Sequence, residues 1–473
     1  MASIERFLDT QLLLPFSEQR GDHIDAPYSE KLQRLLQGDL DFRGKNGAYA
    51  SHNFHAFPAK FPPQLPALFI EKLTQPGDIV LDPMSGSGTT LVEAVIAERI
   101  GVGCDIDPLA LMISKVKTTP LAPLDVGKIG YEIIEESKRL VRESPDDLWL
   151  LKATWTTKTR DFVDYWFMPQ TQLELLALSH AIDALENISV HQFFRLIFSS
   201  IIITKSGGVS LARDLAHTRP HRAKVIYDAS GNVLEGLKLS KGSNPRLMHI
   251  SKTLSSPINE FDKRLHKTLK GVRQFARLQK PQTILAQADA QSLPLASDSV
   301  DLIVTSPPYA SNAIDYMRAH KFSLVWFGYP IEALSETRRK YVGGEATTAM
   351  HYESLPAYPA SIVQEVSRLD TRKGAVLHRY YSEMTRALRE MYRVLKPGKA
   401  AVIVVGSSVM RGRDTETGQC LAEIGESLGF TFSHLGIRYI DRDKRMMPAG
   451  NQVDLGSQIQ RRMHQESVIG FIK

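Results

Sequence analysis

IVLDPMSGSGTTLVEAVIAER, residues 79–99, is the stretch that decides the architecture. Ile79, Val80 and Leu81 form a short apolar run of strand type, closed by Asp82. Residues 83–89 are a loop of small side chains with glycines at 86 and 88. Beyond it, Leu91, Val92, Ala94, Val95 and Ile96 fall at helical spacing. A turn at 74–78 precedes the run, Ile100–Ile106 follows as a second strand, and Leu109–Lys117 as a second helix. Strand, loop, helix and strand in that order predict a parallel βαβ unit.

Working outward, residues 1–47 are polar with a short helical pattern at Ser29–Gln37, and they read as an N-terminal arm. Residues 48–117 hold the βαβ unit. Residues 118–280 are mostly helical by periodicity, at Val126–Arg142, Gln170–Leu185 and Val190–Ile203. A polar, basic stretch (Lys205–Lys252) and a basic helix (Ile258–Leu278) follow, so 118–280 reads as an inserted, mainly helical domain. In 281–473 the strands resume at Thr283–Ala288 and Val300–Thr305. Leu377–Val394 is an amphipathic helix stopped by Lys396, Pro397 and Gly398. Ala400–Val405, a helix at Cys420–Leu428, and strands at Phe432–Ile440 and Glu466–Ile472 complete the chain. The expectation is a seven-stranded, doubly wound, Rossmann-like α/β sheet with a crevice at its carboxyl edge.

The 473 residues leave room for two to four domains, and 43% hydrophobic with 23% charged residues is ordinary for a globular chain. No apolar run approaches the ~20 residues that span a bilayer. The start, MASIERFLDTQ, has no basic segment leading into an apolar one. A cytoplasmic, nucleoid-associated location is expected. Two cysteines, Cys104 and Cys420, exclude a disulfide framework or a Cys-rich zinc site, and no metal site is expected. The net charge of +6 is unevenly spread. Residues 201–280 carry sixteen lysines and arginines against five acids, a net +11, which leaves −5 for the rest. That is the footprint of a phosphate-binding surface, or of a basic helical face with no partner.

The glycine loop admits three readings. A P-loop needs a lysine after the last glycine, and Thr89 stands there. The dinucleotide fingerprint needs a third small residue where Leu91 stands. The third is the S-adenosylmethionine (AdoMet) loop of class I methyltransferases. In it the strand-end acid, here Asp82, faces the cationic amino group of methionine, and Pro83, Ser85, Gly86, Ser87, Gly88 and Thr89 line the cofactor. A plain tight turn remains the alternative for a glycine loop taken alone. At the end of the second strand, Asp105 suits the ribose hydroxyls, and Asp107 suits a helix N-cap.

DLIVTSPPY, residues 301–309, puts Ser306, Pro307, Pro308 and Tyr309 at the tip of a strand. Together with the loop at 82–89, this resembles the amino-group DNA methyltransferases over roughly residues 48–117 and 282–473. Their fourth motif is (Asp/Asn/Ser)-Pro-Pro-(Tyr/Phe), and the Ser-Pro-Pro-Tyr form is typical of the cytosine-N4 enzymes. The resemblance implies AdoMet as cofactor, double-stranded DNA as partner, base flipping, and room for a cognate restriction endonuclease in a restriction-modification pair. Within it, Thr305 and Asp289 fall at the cofactor. HNFHAFPAKFPP, residues 52–63, resembles the tenth motif through Phe57, Pro58, Lys60 and Phe61, with His52 and His55 as surface or cap histidines.

An exocyclic amine is a weak nucleophile because its lone pair is delocalised into the ring. Hydrogen bonds accepted from its protons by the Ser306 hydroxyl and the Pro307 carbonyl make that pair available. Consecutive prolines stiffen that carbonyl, and Tyr309 offers a face for an extruded base. Carbon-5 methylation needs a Pro-Cys nucleophile, but Cys104 follows Gly103 and Cys420 follows Gln419. Arg213, Arg219, Arg222 and Lys224 in the insert, and Arg338, Arg339 and Lys340 in a segment read as a mobile lid, are the DNA-contact candidates. The KRMMP stretch at 444–448 has no assigned role. The insert lies between the second and third strands, whereas in the familiar arrangement the target-recognition domain follows the third motif. Its use in target recognition is therefore an expectation from length and charge. Adenine-N6 transfer, an RNA amino-methyltransferase and a regulator with a dead site are the alternatives to cytosine-N4 transfer.

Overall fold

The structure is a computed structural model and describes residues 27–57, 60–204, 208–213, 215, 220–236, 250–276, 282–310, 315–344, 351–440 and 465–473. Seven strands form one sheet: β1 Ile79–Asp82, β2 Ile100–Asp105, β3 Gln282–Gln287, β4 Val300–Thr305, β5 Leu395–Gly406, β6 Thr431–Tyr439 and β7 Gln465–Ile472. Their order is β6-β7-β5-β4-β1-β2-β3. β1 pairs in parallel with β2 and β4, β4 with β5, and β2 with β3. β7 alone runs antiparallel, between β5 and β6. This is the sheet of a class I methyltransferase fold. From β1 the chain winds one way through β2 and β3 and the other way through β4 and β5. The crevice between the ends of β1 and β4 is therefore the topological switch point, where such sheets bind ligands.

Alternation along the buried strands feeds two cores. Leu302, Val304, Val402 and Val404 face one side, with Phe69 and Ile70 of α2 (Gln64–Leu73). Ile303, Ile403 and Val405 face the other, against Tyr380, Met384 and Leu388 of a later helix at Thr371–Val394. α1 (Tyr28–Gln37) belongs to the first core, with Leu32 and Leu36 fully buried. The described part of the expected arm, from residue 27, thus covers the sheet. It does so closely enough that a Cβ on Gly470 of β7 would lie 2.3 Å from Leu36 Cδ1.

α3 (Thr89–Ile96) follows the glycine loop, and α4 (Pro108–Thr118) follows β2, capped by the Asp107 carboxylate on the Leu109 and Ala110 amides with Pro108 at its first turn. The insert then supplies α5 (Pro123–Glu143), α6 (Thr157–Trp166), α7 (Pro169–Asp183), α8 (Ile188–Ile202) and α9 (Pro257–Phe275). Between α8 and α9, the stretch read only as polar and basic contains short strands, Ala212–Arg213 with His221–Arg222, and Val225–Tyr227 with Val233–Glu235 and Ser251–Thr253. The insert does not pack as a body apart. Phe194 and Phe261 share one core with Ile113 of α4 and Phe322 of α10 (Met317–Leu324), which follows the Ser306–Tyr309 turn.

Leu36→Ala removes buried methyl groups from a sheet-helix contact. It should lower unfolding free energy by about 2–5 kcal/mol in a urea titration, whereas a detached arm would leave the midpoint unmoved.

Candidate functional site

Asp82 ends β1 with its side chain buried. Its Oδ1 accepts the Thr305 hydroxyl at 2.7 Å and the Met84 amide at 3.2 Å. Burial pushes its carboxyl up to about 6, and these hydrogen bonds pull against the rise. The Thr305 contact links the ends of β1 and β4, so the Ser306–Tyr309 turn starts at the lip of the glycine loop. Among the expected site residues, Asp82, Pro83, Ser85, Gly86, Ser87, Gly88, Thr89, Asp105 and Thr305 come together here.

The loop is held open by its glycines. Gly88 caps α3 at φ +72°, and a Cβ there would sit 3.0 Å from the Ser114 Cα. At Gly86 a Cβ would meet the Phe57 ring at 3.3 Å. The Gly86 amide donates to Asp105 Oδ2 at 2.8 Å, and the Asp107 amide to Asp105 Oδ1 at 2.9 Å. Burial first, and the charge of Asp107 second, push the Asp105 carboxyl up to about 7. The Ser85 hydroxyl is buried and has no hydrogen-bond partner among the described residues. An orphaned hydroxyl, two side-chain-free glycines and two strand-end carboxylates fit a cationic amino acid joined to a nucleoside. Asp289 lies just beyond β3, beside Ala288, whose amide donates to the Asp105 carbonyl at 3.1 Å; its own carboxylate accepts the Gln291 amide.

Several expectations change. Phe61 is 7% exposed and belongs to the core under β4, so Phe57 is the aromatic on the loop, stacked on Tyr316 at 4.8 Å between centroids. His52 and His55 are not surface residues: both are buried. His52 Nε2 lies 2.6 Å from Glu93 Oε1, which also accepts the Tyr49 hydroxyl at 2.8 Å. Burial holds His52 well below its usual value and raises Glu93 to about 8. His55 Nε2 lies 2.9 Å from the Ser199 hydroxyl of α8. Lys60 donates to the His52 carbonyl at 2.8 Å. Pro58, Arg219 and residues 444–448 lie outside the described residues.

The turn itself carries the largest correction. Tyr309 does not present an open face: it is 8% exposed, and its hydroxyl donates to Glu466 Oε1 at 2.7 Å. Glu466, at the start of β7, is ion-paired with Arg438 of β6. Ser306 and Pro308 are half-buried, and Pro307 is buried. Nor is the segment after the turn a loose lid. Arg338 ends α11 (Ile331–Arg339) and pairs with Asp315, and the Tyr341 hydroxyl donates to Asp107 Oδ2 at 2.6 Å, where His320 Nδ1 also binds at 2.6 Å. Arg339 and Lys340 are exposed beside that anchor. In the insert, Arg222 is held in two hydrogen bonds by Glu235, Arg213 donates to the Ser251 carbonyl, and Lys224 is exposed. Both cysteines are buried, which raises the thiols to about 11 for Cys104 and about 12 for Cys420, far from a reactive thiolate.

Sequence reasoning missed Tyr49, Glu93, Lys117, His320 and Glu466. Lys117 is buried in the last turn of α4 and donates to the Ser87 carbonyl of the loop at 2.8 Å. The partners of these residues lie far away in the chain, with 44 positions between Tyr49 and Glu93, 213 between Asp107 and His320, and 157 between Tyr309 and Glu466. No local pattern signals them.

The chain is similar to several known methyltransferases. A family model described as DNA methylase, of the N6/N4 type, matches residues 17–116. The chain is 24% identical to the Type II methyltransferase M.MvaI of Kocuria varians over 470 residues, 93% of this chain and 94% of that one. It is 22% identical to the Type II methyltransferase M.BsoBI of Geobacillus stearothermophilus over 80% of this chain and 78% of that one. Among solved structures, the rRNA methyltransferase aviRa of Streptomyces viridochromogenes matches 96% of both chains at 9% identity with a TM-score of 0.26.

Asp82→Asn separates binding from stability. The folded carboxyl titrates near 6, above its ordinary value of 3.8, so its contribution to stability is lost as pH rises through about 6. The variant should therefore melt higher than the parent at pH 8 in calorimetry, with the gain vanishing near pH 4. Its AdoMet affinity at pH 8 should fall about 10–100-fold, because a charge-assisted contact is removed. An unchanged affinity would take Asp82 out of the cofactor site.

Proposed function

We propose that the chain, which matches the N6/N4 DNA methylase family model over residues 17–116 and is 24% identical to M.MvaI, methylates the N4 amine of cytosine in a specific duplex DNA sequence. The observation that carries this is the 2.7 Å contact of Thr305 with Asp82. It brings the Ser-Pro-Pro-Tyr turn, the form typical of cytosine-N4 enzymes, to the mouth of the glycine cradle.

The methyl donor is S-adenosylmethionine, which supplies a methyl carbon activated by a sulfonium. Asp82 would hold the donor's ammonium group, Ser85 and the loop amides its neighbouring polar atoms, and Asp105 its ribose. The target base leaves the helical stack to reach a crevice at the sheet edge. The Ser306 hydroxyl and the Pro307 carbonyl accept hydrogen bonds from the two amine protons, which turns the nitrogen lone pair toward the methyl carbon. With the donor bound, the N–C bond would form as the donor's S–C bond breaks, and the surplus amine proton would then be released. Pro307 and Pro308 have no amide hydrogen, so they bring no competing donor to the reacting nitrogen. Tyr309 acts through its hydroxyl: Glu466, steadied by Arg438, fixes the far end of the turn. The stacking surface expected of Tyr309 has no support in its buried ring.

Ser306→Ala should cut kcat by about 100-fold or more and leave the AdoMet dissociation constant within about twofold. Tyr309→Phe, which loses the bond to Glu466 and the hydroxyl contact with Ser306, should cost about tenfold. Mass spectrometry of nucleosides from DNA of cells expressing the protein should show N4-methylcytosine. N6-methyladenine in its place would overturn the base assignment, and unmodified DNA the reaction itself.

A further inference from the structure

A cavity of about 480 Å³ in the insert takes no part in the chemistry above. It opens between the C-terminal end of α8, the middle of α9 and the strand Ser251–Thr253. Arg213, Lys252, Lys263, Arg264 and Lys267 line it, against one carboxylate, Glu260, which is 2.9 Å from Lys263.

Among the described residues, backbone carbonyls help to orient the inner cations. Lys252 donates to the Ala212 carbonyl at 2.9 Å, Arg264 to the Ser200 carbonyl at 3.3 Å and Arg213 to the Ser251 carbonyl at 2.6 Å. Carbonyl oxygens orient a cation without cancelling its charge. Burial, with Arg213 nearby, lowers the Lys252 amine to about 7, the mark of positive charge crowded into a partly dry space. An entering anion would relieve that crowding.

The surface beyond the cavity shows which anion fits. Lys263, Lys267, Lys270 and Arg273 are all exposed on α9 at steps of four, three and three residues. They form one stripe about 15 Å long at helical rise. A small free anion would use the cavity alone, whereas a polyanion uses the cavity and the stripe together.

We propose that this cavity seats a backbone phosphate of duplex DNA, with α9 lying along the same strand. The inference rests on the reading of the protein as a DNA methyltransferase and adds the place where the duplex is gripped. A contact of this kind sets position on the duplex and carries no sequence information.

The test uses the full-length protein, Lys267→Ala, and Lys263→Ala combined with Lys267→Ala. Both positions are exposed, and alanine keeps the helix. Binding of fluorescent 20-base-pair duplexes, one carrying the methylated sequence and one not, is followed by anisotropy across a salt series. The slope of log affinity against log salt should fall by about one for the single variant and about two for the double. Both duplexes should weaken alike, and AdoMet affinity should stay at the parent value. A parental slope and affinity in the double variant overturn the proposal, as does a loss seen with single-stranded RNA but not with the duplexes. A parent protein that binds duplex with a steep slope yet methylates neither cytosine nor adenine refutes the reaction instead, and the slopes of the variants still decide the phosphate seat.

Discussion

A buried carboxylate shared between two strands is the constraint on which the site depends. Asp82 closes β1, and Thr305 closes β4 with its hydroxyl on the Asp82 oxygen. A carboxylate taken out of water is costly unless it is hydrogen-bonded or paired. Its raised titration shows that the fold alone does not fully offset this cost. A cationic ligand group at the same place, as proposed for the methyl donor, would complete the balance. The same contact fixes how the Ser306–Tyr309 turn stands to the glycine loop, so under the proposed function binding and alignment would share one geometry.

Behind the glycine loop lies a layer of largely buried polar side chains. Glu93 accepts from Tyr49 and contacts His52, Lys60 holds the His52 carbonyl, and Lys117 holds the Ser87 carbonyl. Burial mutes the charges of this group, pushing Glu93 up and Lys117 well down. What it provides is direction: a loop of small residues has no side chains of its own to pack, so its carbonyls are held from behind. Hydrogen bonds of this kind from behind restrict the loop's conformation.

The insert is joined to this machinery. Asp107 caps α4 with one oxygen and with the other receives His320 of α10 and Tyr341 after α11. The His55 ring, in the segment that leads to the loop, meets Ser199 of α8, which in turn meets Ser323 of α10. A shared apolar core completes the junction. The insert and the segment after the Ser306–Tyr309 turn are thus joined by packing and hydrogen bonds.

The strands, the loop and the turn were all legible in the chain because each is written in consecutive residues. A run of β-branched residues ending at Asp82 or Thr305, glycines at 86 and 88, and paired prolines at 307 and 308 act through local backbone preference and period. The tertiary structure decided what those residues touch. It reversed β7, laid α1 on the sheet, buried His52 and His55, drew Phe61 into the core and turned the Tyr309 hydroxyl toward Glu466. Those outcomes depend on partners tens or hundreds of positions away. Burial and hydrogen bonding at such distances follow from how layers pack, which no local pattern encodes.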